Sequence, residues 1–160
     1  MLFRSFAYFT REEFDQFLGL AAIEKFDAGE VMFQSGDDPR GLYYLLDGKV
    51  QISRVKPGRP PRVLAKIQAP TVLGEMAMLV DRTRTSTATS LTPCTVLLFT
   101  KDDYIRLLEE NGLMAFKLSH NMGISLVHKI EHMNKVMMET KQEFKEFSSF
   151  KNSLFNDWNF

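Results

Sequence analysis

Gly74-Glu75-Met76-Ala77-Met78-Leu79 is followed, five residues beyond Leu79, by Arg84-Thr85-Ser86-Thr87-Ala88. The two runs set a carboxylate and a guanidinium nine residues apart inside an otherwise apolar, β-rich region. Arginine offers a planar fork of donors that matches phosphate. An ionised glutamate only accepts, so it suits a hydroxyl. If Gly74 to Ala77 open a helical turn, their free backbone N–H groups also point at an anion. One carboxylate and one guanidinium in a buried site suit a small ligand that carries both a hydroxyl and a single anionic group.

Upstream and downstream of these runs, from Ile23 to Phe99, short apolar stretches are punctuated by turn signals. The turns are Ala28-Gly29, Ser35-Gly36-Asp37-Asp38-Pro39, Asp47-Gly48, Pro57-Gly58 and Asp81. The strands expected between them are 23–26, 31–33, 41–46, 49–55, 62–68, 86–91 and 94–99. So many short strands in so short a span predict a β-sandwich or roll. Thr10-Arg11-Glu12-Glu13 reads as a capping box, which predicts a helix from about 11 to 20. Thr100-Lys101-Asp102-Asp103 caps a second helix, which Asn111-Gly112 ends.

A long helix is expected from near Leu113. From Leu126 its positions Ile130, Met133, Met137, Thr140, Phe144 and Phe147 follow a 4-3-4-3-4-3 spacing, a coiled-coil seam. Extended backwards, the seam meets the small residues Gly123 and Ser119. Lys129, Glu131, Lys135, Glu139, Lys141 and Glu143 flank it. The plain alternative is one amphipathic helix packed on its own domain.

Two further motifs join the first, making three. They are Phe26-x-x-Gly29-Glu30-x-x-Phe33-Gln34-x-Gly36-Asp37, Leu42-Tyr43-Tyr44-Leu45-Leu46-x-Gly48-x-Val50-x-Ile52, and the Gly74–Ala88 cassette itself. Together they resemble the cyclic nucleotide-binding domain family, which includes the bacterial catabolite activators, protein kinase A regulatory subunits and cyclic-nucleotide-gated channels. The match covers about residues 11–135. Pro70 stands where the family usually has Gly, and Leu73 replaces a usual Phe.

The resemblance implies an α+β, mainly β fold: a double-stranded β-helix (jelly roll) with a flanking N-terminal helix and a long C-terminal helix. It implies a β-roll over 1–112, a dimerisation helix over 113–147 and an aromatic tail over 148–160. Glu75 would take the ribose 2′-hydroxyl and Arg84 the cyclic phosphate. The amides of Met76 and Ala77 and the Thr85 hydroxyl would support the phosphate, with Gly74 and Ser86 completing the cassette. Ile52 and Leu64 would wall the base.

The expected ligand is a cyclic nucleotide, with cyclic AMP favoured over cyclic GMP, and no metal. Thr85 directly after the arginine is similar to the cyclic-GMP-responsive members, in which that hydroxyl contacts guanine. Some cyclic-AMP-responsive channels carry it too. In the bacterial activator two hydroxyl residues on the long helix contact adenine. A gap-free count puts those positions at Lys129 and Ile130, which cannot repeat that contact.

Composition narrows the classes further. In 160 residues the apolar fraction is 44%, enough for a core in one domain. Lys+Arg and Asp+Glu are both 20, so nothing in the totals rewards a polyanionic nucleic acid or membrane surface. The single Cys94 excludes an internal disulfide and suits a reducing compartment. No apolar run reaches the ~18 residues of a membrane span, and residues 1–10 lack a signal-peptide core. A cytoplasmic protein is expected.

All three histidines fall on the long helix. His128-Lys129-Ile130-Glu131-His132 matches the H-x-x-E-H string of inverted zinc proteases, but it sits in a heptad pattern with no third ligand. No histidine precedes position 120, which argues against a cupin enzyme and against Ser-His or Cys-His catalysis. Arg54, Lys56, Arg59 and Arg62 surround the Pro57-Gly58 tip and read as a solvated turn.

In activators of this family a helix-turn-helix follows the long helix. Ser148 to Phe160 are too few for one, so no DNA reading is expected of the chain alone. Phe150, Leu154, Phe155, Trp158 and Phe160 would dock back on the domain, extend the seam or bind a protein effector. The expected function is a cyclic nucleotide sensor, not an enzyme, signalling as a homodimer through its long helix. The alternative is a degenerate, non-binding domain acting as a dimeric scaffold or interaction module.

Overall fold

Thr10 Oγ1 accepts a hydrogen bond from Glu13 N (3.2 Å) while Glu13 Oε2 accepts one from Thr10 N (2.7 Å). This reciprocal cap satisfies two orphan donors and starts α1, Arg11–Leu20, where the sequence predicts it. The computed structural model describes residue 6 and residues 8–55, 58–80 and 82–157, with side chains from 150 onward outside that set.

Eight strands follow the chain order β1 Ala22–Phe26, β2 Val31–Phe33, β3 Gly41–Asp47, β4 Lys49–Arg54, β5 Arg62–Gln68, β6 Thr71–Leu73, β7 Thr87–Ser90 and β8 Cys94–Thr100. They form two four-stranded antiparallel sheets, ordered β1-β8-β3-β6 and β2-β7-β4-β5. The three helices after α1 are α2 Glu75–Val80, α3 Lys101–Glu110 and α4 Gly112–Asp157. The jelly-roll class expected from the sequence is the class observed. Strand β6 was not among the expected strands: it has three residues, wedged between Pro70 and Gly74.

Period-two alternation explains the layers. On β3, Tyr43 and Leu45 point between the sheets and pack with Val50, Ala88, Val96 and Leu98. Leu42 and Tyr44 point the other way and pack with Phe17, Phe99, Leu107, Met114 and Leu118 from β8 and the helices. Strand β3 is thus buried on both faces, which is why Leu42-Tyr43-Tyr44-Leu45 reads as an unbroken apolar run. Strand β5 is the opposite case. Among the described residues it pairs only with β4, and Arg62 to Lys66 are all exposed.

Two register shifts matter for the site. In the β2–β7 pair, Val31 faces Thr89 and Phe33 faces Ala88, so Met32 is the extra residue of a bulge. As a result Met32 and Phe33, consecutive in sequence, both pack into the space between the sheets. In the β4–β5 pair, Ile52 faces Ala65 and Ser53 faces Val63, which leaves Leu64 unpaired.

The chain divides into two compact units, 1–123 and 124–160. Residues 113–123, the start of the long helix, fall in the first unit. The physical reason is burial: Met114, Ala115, Leu118 and Met122 of α4 belong to the apolar core of the first unit. Glu13 and Lys117 also join α1 to this part of α4, both carboxylate oxygens accepting from Nζ at 2.7 Å.

The second unit is helical to Asp157, so the helix continues through 148–157, the stretch expected as a tail. Within this unit the seam residues Ile130, Met133, Met137, Phe144 and Phe147 are exposed. The side chains of Phe150, Leu154 and Phe155, and the residues Trp158 and Phe160, lie outside those described.

Candidate functional site

The expected cassette begins where β6 ends. Gly74 has φ +89°, a left-handed conformation that glycine adopts without strain, and the next residue opens α2. A β-carbon at Gly74 would also collide with Nη1 of Arg84. Gly74 is therefore fixed twice, by its backbone and by the side chain laid across it.

Arg84 is placed by backbone pairing before its side chain makes any contact. Its N–H donates to Asp37 O and its carbonyl accepts from Gly36 N, both at 2.8 Å. The Gly36-Asp37 turn is itself shaped by Asp37 Oδ2, which accepts from Gln34 N at 2.8 Å. Two sequence motifs some fifty residues apart thus meet here.

The Arg84 side chain runs inward and is only 4% exposed. Nη1 donates to Gly74 O at 3.0 Å and Nη2 donates to Gly41 O at 2.6 Å. Its Cζ lies 4.4 Å from the Phe33 ring centroid and 5.6 Å from that of Tyr43, within cation–π range. Nε is buried and has no hydrogen-bond partner among the described residues. Burial holds the guanidinium below its ordinary pKa, opposed by Tyr43, Glu75 and Asp37.

Glu75 is 3% exposed, the first residue of α2. Its charge reaches Arg84 on one side and Tyr44 on the other. The Tyr44 hydroxyl is pushed far up, first by burial and then by Glu75. The site therefore keeps a buried guanidinium and a buried carboxyl group within electrostatic reach, with the Nε–H unpartnered among the described residues. A buried N–H without a partner costs about 1–3 kcal/mol, so an acceptor that reached Nε would recover that penalty.

The remaining expected residues scatter around this pair. Ala77 is buried and Met76 is 54% exposed, both in the first turn of α2. Thr85 and Ser86 are half-buried, and Arg54 Nε donates to Thr85 O at 3.0 Å. Ile52 is partly buried and packs against the core between the sheets. Leu64 is 49% exposed, because the bulge and the open edge of β5 leave it with solvent.

Sequence reasoning missed Gly41, Phe33 and Tyr43 as parts of the site. Gly41 had no motif to flag it, although its own β-carbon would collide with the backbone of Phe99. Phe33 and Tyr43 fall inside the sequence motifs, but no spacing rule links either of them to residue 84.

A separate cleft of about 410 Å³ is lined by Asp47, Gly48, Lys49, Gln68, Ala69, Thr92 and Pro93. It lies at the Asp47 end of β3, whereas Arg84 binds the Gly41 end, about 20 Å away at ~3.4 Å per residue. Among the described residues no group of three or more His, Cys, Asp or Glu is placed to hold a metal ion. Among the same residues no helix is long and apolar enough to cross a membrane.

The sequence pattern of the cyclic nucleotide-binding domain family matches residues 23–111, more than half of the chain. The chain belongs to that family. It is 28% identical over 119 residues to the cyclic AMP receptor protein of Thermus thermophilus, covering 74% of this chain and 53% of the relative. It is 28% identical over 90 residues to a cGMP-dependent protein kinase (isozyme 2) of Drosophila melanogaster, covering 56% of this chain and 8% of the kinase.

Among solved structures it is similar to a cyclic nucleotide-binding domain from Methylobacillus flagellatus. The TM-score is 0.77 at 18% identity, over 82% of this chain and 74% of that one, a likeness of fold. The chain thus spans about half of the bacterial receptor and a small part of the kinase.

Proposed function

We propose that this chain is a cyclic nucleotide-binding regulatory module, with cyclic AMP as the favoured ligand and cyclic GMP as the alternative. The observation that carries the reading is Arg84: a buried guanidinium inside the family's cassette, with Nε unpartnered and Glu75 close enough to act on it. The phosphate would sit against Nε and the ribose hydroxyl against Glu75. Thr85 and Ser86 would lie beside the phosphate, and Ile52 would form an apolar wall for the base. Preference for cyclic AMP rests on the bacterial relative, whose name states that nucleotide. The half-buried Thr85 and the kinase relative keep cyclic GMP in view.

Signalling would run through α4 as a homodimer, its exposed seam from Ile130 to Phe147 buried against a second copy. The segment beyond residue 147 would carry any contact with a protein effector. No catalytic role is assigned, and the lone Cys94 suits the cytoplasm. The ligand shifts α4 only by as much as it binds one arrangement better than the other.

A second reading, a domain that keeps the fold and binds nothing, draws on one observation: both Arg84 terminal nitrogens already serve backbone carbonyls.

Calorimetric titration and a thermal-shift screen with cyclic AMP, cyclic GMP and cyclic dinucleotides separate the two. A ligand present at 100 times its Kd stabilises by about 2.7 kcal/mol, a readily measured shift. We expect micromolar binding of one mononucleotide, abolished in Arg84→Ala and weakened in Glu75→Ala. A wild-type protein that none of these ligands shifts would establish the scaffold reading instead.

A further inference from the structure

We propose that Phe33, turned inward by the β2 bulge, is the positioning residue that holds the Arg84 guanidinium ready for an anionic ligand group; this rests on the ligand-binding reading of the site. Three observations meet at this residue. The bulge at Met32 breaks the alternation of β2, so that Met32 and Phe33 both enter the space between the sheets. Without the extra residue, neighbours on a strand would face opposite ways. The Phe33 ring then lies against the guanidinium, 4.4 Å from Cζ, and also contacts Tyr43 at 5.5 Å between centroids. Finally, the carbonyls of Gly41 and Gly74 each hold one terminal nitrogen, and Nε is buried without a partner among the described residues, so the ring face and the carbonyls fix the plane of the group while its Nε–H stays open to an acceptor.

An arginine on an open loop would sample many rotamers, and a ligand would have to order it. That ordering costs about 0.5–1.5 kcal/mol per flexible side chain. Here the protein orders it in advance, and a flat aromatic face is what an aliphatic residue of similar volume does not supply. Phe33 as mere core filling would predict that leucine serves as well.

The test uses the full chain as wild type, Phe33→Leu and Phe33→Tyr. Two quantities are read in each: the Kd for cyclic AMP by calorimetry, and the Arg84 Nε–H resonance in an ¹⁵N-correlated spectrum of the free protein, assigned by its loss in Arg84→Lys. Ring currents above an aromatic face shift that proton upfield. We expect Phe33→Leu, still folded by circular dichroism, to bind roughly twofold to tenfold more weakly, the factor set by that ordering cost. Its Nε–H resonance should move toward the position of solvated arginines. Phe33→Tyr should restore both.

The proposal is overturned if Phe33→Leu leaves either quantity at its wild-type value, or if Phe33→Tyr fails to restore them. A wild-type protein that binds no cyclic mononucleotide would overturn the ligand reading. The resonance alone would then decide whether Phe33 holds Arg84 at all.

Discussion

At the scale of single residues, Arg84 and Gly74 form one device. The arginine needs acceptors for its terminal nitrogens, and the glycine supplies one carbonyl while leaving room for the guanidinium. Gly74→Ala would add a β-carbon at a left-handed φ and against Nη1 at the same time. We expect it to destabilise the fold by about 1–2 kcal/mol, the usual penalty for a side chain in that region. It should also weaken cyclic nucleotide binding by displacing Arg84. Urea denaturation and calorimetry on the same preparation check both effects, and unchanged values for both would show that the close approach is not maintained in solution. Arg84 and Glu75 were legible from the sequence because their spacing and neighbours repeat a family pattern. Phe33, Tyr43 and Gly41 were not. Their relation to Arg84 comes from a strand bulge and from the pairing of distant segments, neither of which leaves a local trace in the chain.

At the scale of elements, capping and ion pairing set the helices. Glu13 caps α1 and also receives Lys117 from α4, so one carboxylate serves two elements. The hydrogen bond from Lys117, then that from Thr10 N–H, hold the Glu13 carboxyl below its ordinary pKa. A carboxylate with a lowered folded-state pKa adds stability above its unfolded value of about 4.3 and loses it as pH falls through the folded value. Glu13→Gln should therefore be less stable than wild type at pH 7, and the gap should close on acidification below that unfolded value. Thermal melts of both proteins from pH 7 to pH 3 measure it, and a gap that held constant would remove the ion pair as its cause. The boundaries of α1 and the ends of α3 were readable because caps are local chemistry. Strand β6 was not, since three residues between Pro70 and Gly74 carry too little pattern to declare a strand. The exposure of Leu64 was not readable for a related reason: alternation along β5 is interrupted opposite Ile52 and Ser53.

For the whole molecule, α4 beyond residue 123 leaves a row of apolar side chains exposed on a single chain. Ile130, Met133, Met137, Phe144 and Phe147 recur at heptad spacing and are exposed. Burying a fully exposed Met or Phe side chain contributes about 1.5–3 kcal/mol, so a matched second helix would be strongly favoured. Light scattering after gel filtration should find a dimer, and Met137→Glu combined with Ile130→Glu should yield monomer. A wild-type monomer at high micromolar concentration would rule out the seam. The two-sheet core itself was legible at this scale from the count of short strands and turns. The division of α4 at residue 123 was not, because its first turns continue the same apolar pattern into a different environment. Strand β5 has one further consequence. Its outer rim offers unpaired amides and carbonyls along a stretch that includes the exposed Val63 and Leu64, a template on which a foreign strand could grow into fibrils. Pro60 and Pro61 ahead of it, and the charges of Arg62 and Lys66 along it, are the residue types that oppose such growth.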